Sequence, residues 1–532
     1  MNDWFEEDKF HDECGIFAVY APSRDVGRMT FFGLHALQHR GQESAGICTW
    51  DGQMTHMHKA MGLVPQVFRE EDIKKLTGTM AIGHVRYSTT GSSHVRNAQP
   101  TLVETIKGPL ALGHNGNLTN ALDLRRILLE RGVGLSATTD SEVITQVLAS
   151  PPEIWLDTKV TESIPLTVVN GNGHYNGSNH IKKGLDGKAN GTLSKAGFQS
   201  EAGGRWEPHL KALMHVAEGA YSLVVMTAEG LYAMRDPLGL RPLCIGELDD
   251  GYVVASESCA ILTVGAKFVR DVEPGEIIRL DKNGITSIHG VDSHKKALCI
   301  FEYVYFARPD SKFEGQIIHD VRQRMGAKLA EESAIDADFV MGVPDSAVPA
   351  AIGYSQQSGI QFNEGLTKNR YIGRTFIQPD NDMRKEKVRL KYNPLPGNLK
   401  GKRVILIDDS IVRGNTIGPI IAMLREAGAS EVHVRVSSPP VKHPCFMGID
   451  MATYNQLIAH QFNLEGTRRR IGADSLAYLS LPGMEEAVRE ASKDPDGGYC
   501  HACFSGEYPL EVPDWLFESD RNKYEFEKMW GE

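Results

Sequence analysis

Val404-Ile-Leu-Ile-Asp-Asp-Ser-Ile-Val-Arg-Gly-Asn-Thr416 is the stretch on which the fold of the chain turns. Val404 to Ile407 is an apolar run of buried-strand type, the next residues are polar, and Ile417, Ile420, Ile421 and Leu424 recur at the i, i+3, i+4, i+7 spacing of one helical face. Gly428 provides a C-cap, and Val432, Val434 and Val436 then alternate with polar residues as a further strand. Strand, loop, helix and strand in this order describe a parallel α/β sheet. A second such unit opens at Phe339-Val-Met-Gly-Val343 and turns through Pro344-Asp345-Ser346 into a helix.

Open α/β sheets bind ligands beyond the carboxyl ends of their strands, where Asp408 and Asp409 stand. The loop from Ser410 to Thr416 adds two hydroxyls, Gly414 and backbone N–H groups at a helix N-terminus, a combination suited to a phosphate monoester. Adjacent carboxylates suit ribose hydroxyls and Mg2+. Taken alone, Asp-Asp-Ser is also a helix-capping turn. The whole string, with Ser410, Arg413, Gly414, Asn415 and Thr416, resembles the phosphoribosyl pyrophosphate signature of type I phosphoribosyltransferases. The basic segment from Lys368 to Gln378, continued by Arg384, Lys385, Lys387, Arg389 and Lys391, interrupts an acidic background. By itself a charge run is a solvated face. Beside a phosphate loop it becomes a cover that neutralises pyrophosphate and excludes water, with Lys368, Tyr371 and Arg374 as its expected contacts.

The 532 residues suffice for two to four domains, and 41% hydrophobic with 23% charged residues is ordinary for a soluble globular protein. No run approaches the ~20 apolar residues of a membrane span. The acidic N-terminus lacks the positive and apolar regions of a signal peptide, so a cytoplasmic location is expected, without a membrane partner. A formal charge of -11 argues against a general nucleic-acid binder. Eight cysteines are too sparse for a disulfide scaffold and point to catalytic or metal-binding use. Strand-like and helical runs mix between Cys14 and Ile278, which predicts stacked sheets flanked by helices. Residues 151–204 break that pattern with Asn-Gly repeats and scattered glycines, as a flexible surface insertion would.

Cys14-Gly-Ile-Phe17 opens the first strand-like run. A lone cysteine there is a small buried residue. Were residues 1–13 removed as a leader, its α-amino group, with a reference pKa of about 7.7 to 8.0, would serve as general base for its own thiol. Leu37-Gln-His-Arg-Gly-Gln-Glu-Ser-Ala-Gly46, His84-Val-Arg-Tyr-Ser-Thr-Thr-Gly91, Gly113-His-Asn-Gly-Asn-Leu118 and Thr138-Thr-Asp-Ser-Glu142 resemble, in the same order, the class II glutamine amidotransferase domain. That resemblance implies Cys14 as nucleophile, with Asn115 (side chain) and Gly116 (backbone N–H) as its oxyanion hole. It also implies that Arg86 holds the glutamine α-carboxylate and Asp140 its α-ammonium. Each alone has a structural reading: Arg86 as a surface ion pair, Asn115-Gly116 as a turn.

Cys500-His-Ala-Cys503 is compatible with redox, zinc or iron-sulfur chemistry. Cys244 and Cys445 stand in contexts similar to two further ligands in one subgroup of the glutamine phosphoribosylpyrophosphate amidotransferases, the subgroup with a cleaved leader and a 4Fe-4S cluster. The resemblance therefore implies a cluster on Cys244, Cys445, Cys500 and Cys503; a four-cysteine zinc site uses the same ligands. Cys48, Cys259 and Cys299 are taken as small buried residues. For the whole chain the resemblance implies a leader at 1–13 and an N-terminal nucleophile (Ntn) αββα glutaminase domain at 14–285. A type I phosphoribosyltransferase α/β domain follows at 286–505, and a tail at 506–532. It implies Mg2+ near Ser346, Asp408 and Asp409, a homotetramer, and inhibition by purine nucleotides. The expected reaction makes 5-phosphoribosylamine, glutamate and pyrophosphate from phosphoribosyl pyrophosphate, glutamine and water.

Overall fold

The strand Gly15–Tyr20 is buried along all but its last residue, and its side chains serve two different cores. Phe17 and Val19 pack with Val26 and Leu34 of the helix Val26–Ala36. Ile16 and Ala18, on the opposite face, pack with Val224, Met226 and Ile278. Because successive strand residues point to opposite faces, an apolar strand of this kind must be covered on both sides. It lies inside a seven-stranded antiparallel sheet, between Met80–Arg86 and Gly251–Ala255. A second, six-stranded sheet contains Gly108–Leu118 beside Gly219–Thr227. Its outer face packs on the helices Ala121–Glu130, Asp140–Ala149 and Glu207–Val216. Helix, sheet, sheet and helix stack as four layers, as the sequence predicted.

The computed structural model describes residues 14–88, 91–156, 206–293, 295–369, 388–450, 453–494, 497–518 and 526. The expected leader, residues 157–204 of the expected insertion, and Tyr371 and Arg374 of the expected cover lie outside the described residues. The start of that insertion is a packed helix, Pro152–Trp155, with Trp155 buried. The strand Gly284–His289 belongs to the six-stranded sheet, so the first domain runs past the boundary expected at 285. Among the described residues no helix is long and apolar enough to cross a membrane.

The second domain is built on four parallel strands in the order Phe339–Gly342, Arg403–Asp408, Glu431–Val436 and Ser475–Tyr478. Alternation in Glu431–Val436 suggests a strand with one wet face, yet His433 and Arg435 are also buried. They are accommodated by hydrogen bonds: His433 to Ser475 and Glu431, Arg435 to the carbonyls of Ser333 and Val434. Leu298–Cys299 pairs in parallel with Tyr499–Cys500, joining the two ends of the domain. The expected tail packs back: Leu516 is buried, Phe517 meets Phe446 edge to face, and Phe526 lies 5.0 Å from the Arg125 guanidinium.

Arg40 joins the domains. Its side chain has 0% exposure, as do those of Glu257, from the first domain, and Glu302, from the second. Its guanidinium reaches Glu257 at 2.6 Å and Glu302 at 2.6 and 3.1 Å. Removing the cation takes from two buried carboxylates a charged partner that each holds at 2.6 Å, which is the costly way to break such a pair. Arg40→Ala is expected to destabilise the protein by ~3–5 kcal/mol, read as a lowered urea midpoint.

Candidate active site

The first site assembles where the two sheets of the first domain face each other. Cys14 precedes the strand Gly15–Tyr20; its carbonyl accepts from Arg40 Nε at 3.3 Å and its Sγ donates to the Tyr87 carbonyl at 3.3 Å. Arg86, Asp140 and Glu43 act on its thiol electrostatically, so three motifs distant in sequence converge on it. Burial pushes this thiol up to about 12, against the opposing pull of Tyr87 and Arg86. Arg86 is buried and held by the Gly91 and Ser92 carbonyls at 3.4 and 3.3 Å, with Glu43 at 3.7 Å. Glu43 also accepts from the Ser88 N–H and hydroxyl, at 3.1 and 2.9 Å. Asp140 opens a helix and accepts from the Leu118 N–H at 3.1 Å, tying it to the end of the strand that carries Asn115 and Gly116.

Asn115 is fully buried, and neither its Oδ1 nor its Nδ2 has a hydrogen-bond partner among the described residues. An orphaned buried amide costs about 1–3 kcal/mol, so its presence calls for a partner that arrives with a ligand. His84 Nε2 and the His114 carbonyl, 2.9 Å apart, clamp its strand to the facing sheet. Gly116 has φ +147°, and a Cβ there would meet the Ala220 carbonyl oxygen at 2.0 Å.

The second site lies at the carboxyl end of Arg403–Asp408. Asp408 Oδ1 accepts from the Asp409 N–H at 3.0 Å, and Asp409 Oδ1 from the Ser410 hydroxyl at 2.9 Å. The Ser346 hydroxyl donates to Asp409 Oδ2, so this serine and the two carboxylates are brought together. The loop then leads through Thr416 into the helix Ile417–Glu426. Arg413 donates to Gln456 Oε1 at 2.8 and 3.1 Å, while Asn415 is exposed. Lys368 pairs with Asp345 at the base of the expected cover. Arg322 has no signal in the sequence. It is buried behind the site and donates to the carbonyls of Tyr303 and Ala307, both at 2.8 Å. Burial pushes its guanidinium down to about 10, with Asp409 as the leading opposing influence. A cleft of about 230 Å3 connects the domains, lined by His39 and Gln42 on one side and by Ser346 and Lys368 on the other.

The cysteines require a correction. Cys244 does not join the other three expected ligands. It sits within the seven-stranded sheet, its thiol donates to the Ala255 carbonyl at 3.3 Å, and the cysteine that acts on it electrostatically is Cys259, not Cys445, Cys500 or Cys503, among the described residues. Cys503 instead has Cys299, Cys500 and Cys445 as electrostatic neighbours, and Cys299 pairs in register with Cys500. Cys299, taken from sequence as a small core residue, is the cysteine that stands beside Cys500 and Cys503 in the place expected for Cys244. Only a strand pairing across two hundred positions brings it there, and no local motif signals that.

Two stacked sheets carrying a glutamine-type site, joined to a phosphate-binding parallel sheet, define a glutamine amidotransferase with a phosphoribosyl acceptor. Residues 314–438 match the family described as Phosphoribosyl transferase domain. The chain is 45% identical over 516 residues to the amidophosphoribosyltransferase of Synechococcus elongatus, covering 96% of this chain and 94% of that protein. It is 48% identical over 511 residues to that of Synechocystis sp., covering 95% and 93%. The solved structure of glutamine phosphoribosylpyrophosphate amidotransferase from B. subtilis, complexed with ADP and GMP, is similar at a TM-score of 0.79 and 40% identity, covering 94% and 98%. The chain belongs to the amidophosphoribosyltransferase family.

The Cys14 environment has a direct consequence for the full-length chain. A thiol at pKa about 12 is ionised to only about one part in ten thousand at pH 8. Iodoacetamide labelling of Cys14, followed by peptide mass, is expected to rise about tenfold per pH unit from pH 7 to 10. A plateau near pH 9 would show an ordinary thiol.

Proposed function

We propose that the two sites divide the amidophosphoribosyltransferase reaction between them. Glutamine is hydrolysed at Cys14, and the released ammonia displaces pyrophosphate from C1 of phosphoribosyl pyrophosphate above Asp408 and Asp409. The products are 5-phosphoribosylamine, glutamate and pyrophosphate, in the first step of de novo purine synthesis. The observation that carries this reading is the orphaned amide of Asn115, buried on the strand facing the one that begins at Cys14. It has the donor that an oxyanion needs and no other use for it.

Once residues 1–13 are removed, the α-amine of Cys14 takes the proton from its own thiol, and the sulfur attacks the glutamine side-chain amide carbon. Asn115 Nδ2 and the Gly116 N–H then hold the oxyanion; ammonia leaves, and water hydrolyses the thioester. Arg86 and Asp140 grip the α-carboxylate and α-ammonium. The cleft between Gln42 and Ser346 supports internal passage of ammonia. At the other end, the carboxylates of Asp408 and Asp409 take the ribose hydroxyls, the loop of Ser410, Arg413, Gly414, Asn415 and Thr416 takes the 5-phosphate, and Lys368, Tyr371 and Arg374 cover the pyrophosphate.

Ser346, Asp408 and Asp409 present clustered oxygen donors that fit Mg2+, which supplies charge neutralisation for the leaving pyrophosphate. Cys299, Cys445, Cys500 and Cys503 fit a 4Fe-4S cluster. Burial pushes the Cys500 thiol up to about 11, so a thiolate there needs a metal partner to stabilise it. A four-cysteine zinc site would use the same ligands, and iron content separates the two. Purine nucleotides as inhibitors, a homotetramer and a cytoplasmic location complete the proposal; the ADP and GMP of the B. subtilis structure support the first of these.

The intact mass of anaerobically purified protein should correspond to a chain beginning at Cys14, with about four iron atoms per subunit. Cys299→Ser is expected to lose iron and Cys244→Ser to keep it; the reverse outcome would restore the ligand set read from sequence. Cys14→Ala should abolish glutamine use and spare synthesis from free ammonia. Equal loss of both activities would contradict the division of sites.

A further inference from the structure

We infer that Gly448, in the second domain, is a positioning residue for the oxyanion hole of the first. The inference rests on the reading of Gly116 as an oxyanion donor and adds what holds that donor in place. Gly448 has φ +96°, and a Cβ built on it would lie 2.7 Å from the Gly116 carbonyl carbon, 2.8 Å from its Cα and 3.0 Å from its oxygen. The two glycine backbones therefore touch directly. On its other side, Gly116 is so close to the Ala220 carbonyl that its own missing Cβ would stand 2.0 Å from that oxygen. Gly116 is thus gripped between a strand of its own sheet and a loop of the other domain.

That loop is anchored residue by residue. Asn117 Nδ2 donates to the Phe446 carbonyl at 3.1 Å. Arg241, fully buried, donates through Nε to the Met447 carbonyl at 2.9 Å, and its Nη2 reaches the same oxygen. Phe446 packs between Tyr508 and Phe517, with ring centroids at 5.5 and 4.9 Å. Both partners of the loop, Arg241 and Asn117, belong to the first domain, so the contact is a built seam. An oxyanion donor works only when it is preorganised at hydrogen-bond distance from where charge develops, because rearranging it during the reaction consumes the stabilisation it provides. A backbone donor has no rotamer to lock, so it must be fixed through its peptide planes, and Gly448 bears on the plane that follows Gly116. Glutamine hydrolysis then depends on the second domain being seated.

The test uses the processed full-length enzyme. In Gly448→Ala, the glutamine-dependent kcat is expected to fall about 10- to 100-fold, somewhat less than deleting a donor outright. KM for glutamine and ammonia-dependent synthesis should stay within about twofold of the parent. Inhibition by the γ-aldehyde analogue of glutamine, whose tetrahedral adduct with Cys14 occupies the hole, should weaken in parallel with kcat/KM, while competition by glutamate stays unchanged. Should Gly448→Ala fail to fold, Asn117→Ala releases the same loop and should lower kcat about 3- to 10-fold with the same pattern. Unchanged glutamine-dependent kcat in Gly448→Ala, or equal loss of both activities in the variant that folds, overturns the inference. Asn115→Ala separates the two levels: its loss of glutamine hydrolysis beside an unaffected Gly448→Ala removes only the positioning role. Unaffected hydrolysis in Asn115→Ala removes the oxyanion reading itself.

Discussion

A guanidinium with no access to water has to be met by anions, and Arg40 is met by two that belong to different domains. Glu257 is itself engaged by His39 at 2.6 Å, the Ser311 hydroxyl at 2.6 Å and the Arg308 N–H at 2.9 Å. These partners hold its carboxyl well below the usual range in spite of burial. Glu302 opens the short π-helical turn Glu302–Phe306. The carbonyls of Tyr303, near the start of that turn, and of Ala307, just after it, receive Arg322, on which Asp409 acts electrostatically. Since Arg40 Nε also holds the Cys14 carbonyl, one run of buried polar contacts spans the distance from Cys14 to Asp409. Burial makes each link in it expensive to break alone, so the two sites keep a constant relation.

Much of this architecture was legible because its elements obey short-range rules. The apolar run Val404–Ile407 and the helical period after it needed no tertiary information, and neither did the strand-like run Gly15–Tyr20. The glutamine-site motifs were equally readable, because their chemistry is concentrated in a few consecutive residues. Long-range neighbours were not. Cys244 and Cys299 are both buried cysteines beside apolar residues, and only the pairing of Cys299 with Cys500 separates their roles. The covered second face of Glu431–Val436 escaped for a related reason: His433 and Arg435 look solvent-bound in sequence, and the partners that permit their burial lie on other elements.

Cys14 shows how burial and reactivity are reconciled. With residues 1–13 attached, burial suppresses the ionisation of its thiol. A nucleophile built in this way carries no thiolate that oxidants or electrophiles could attack before the site is complete. On the proposed reading, the event that made Cys14 a terminus would also make the activating base, and no histidine would be needed beside it.

The pairing of Leu298–Cys299 with Tyr499–Cys500 also bears on how the protein is made. Translation proceeds from the N-terminus, and the stacked sheets can assemble while the ribosome is still working on the second domain. The two ends of the second domain cannot join so early. Its opening strand waits, without its hydrogen-bonding neighbour, until nearly the last residues have left the exit tunnel, and its closure carries the entropy of a loop some two hundred residues long. A nascent chain interrupted shortly before Tyr499 would present a finished first domain and a second domain whose opening strand has an unpaired edge.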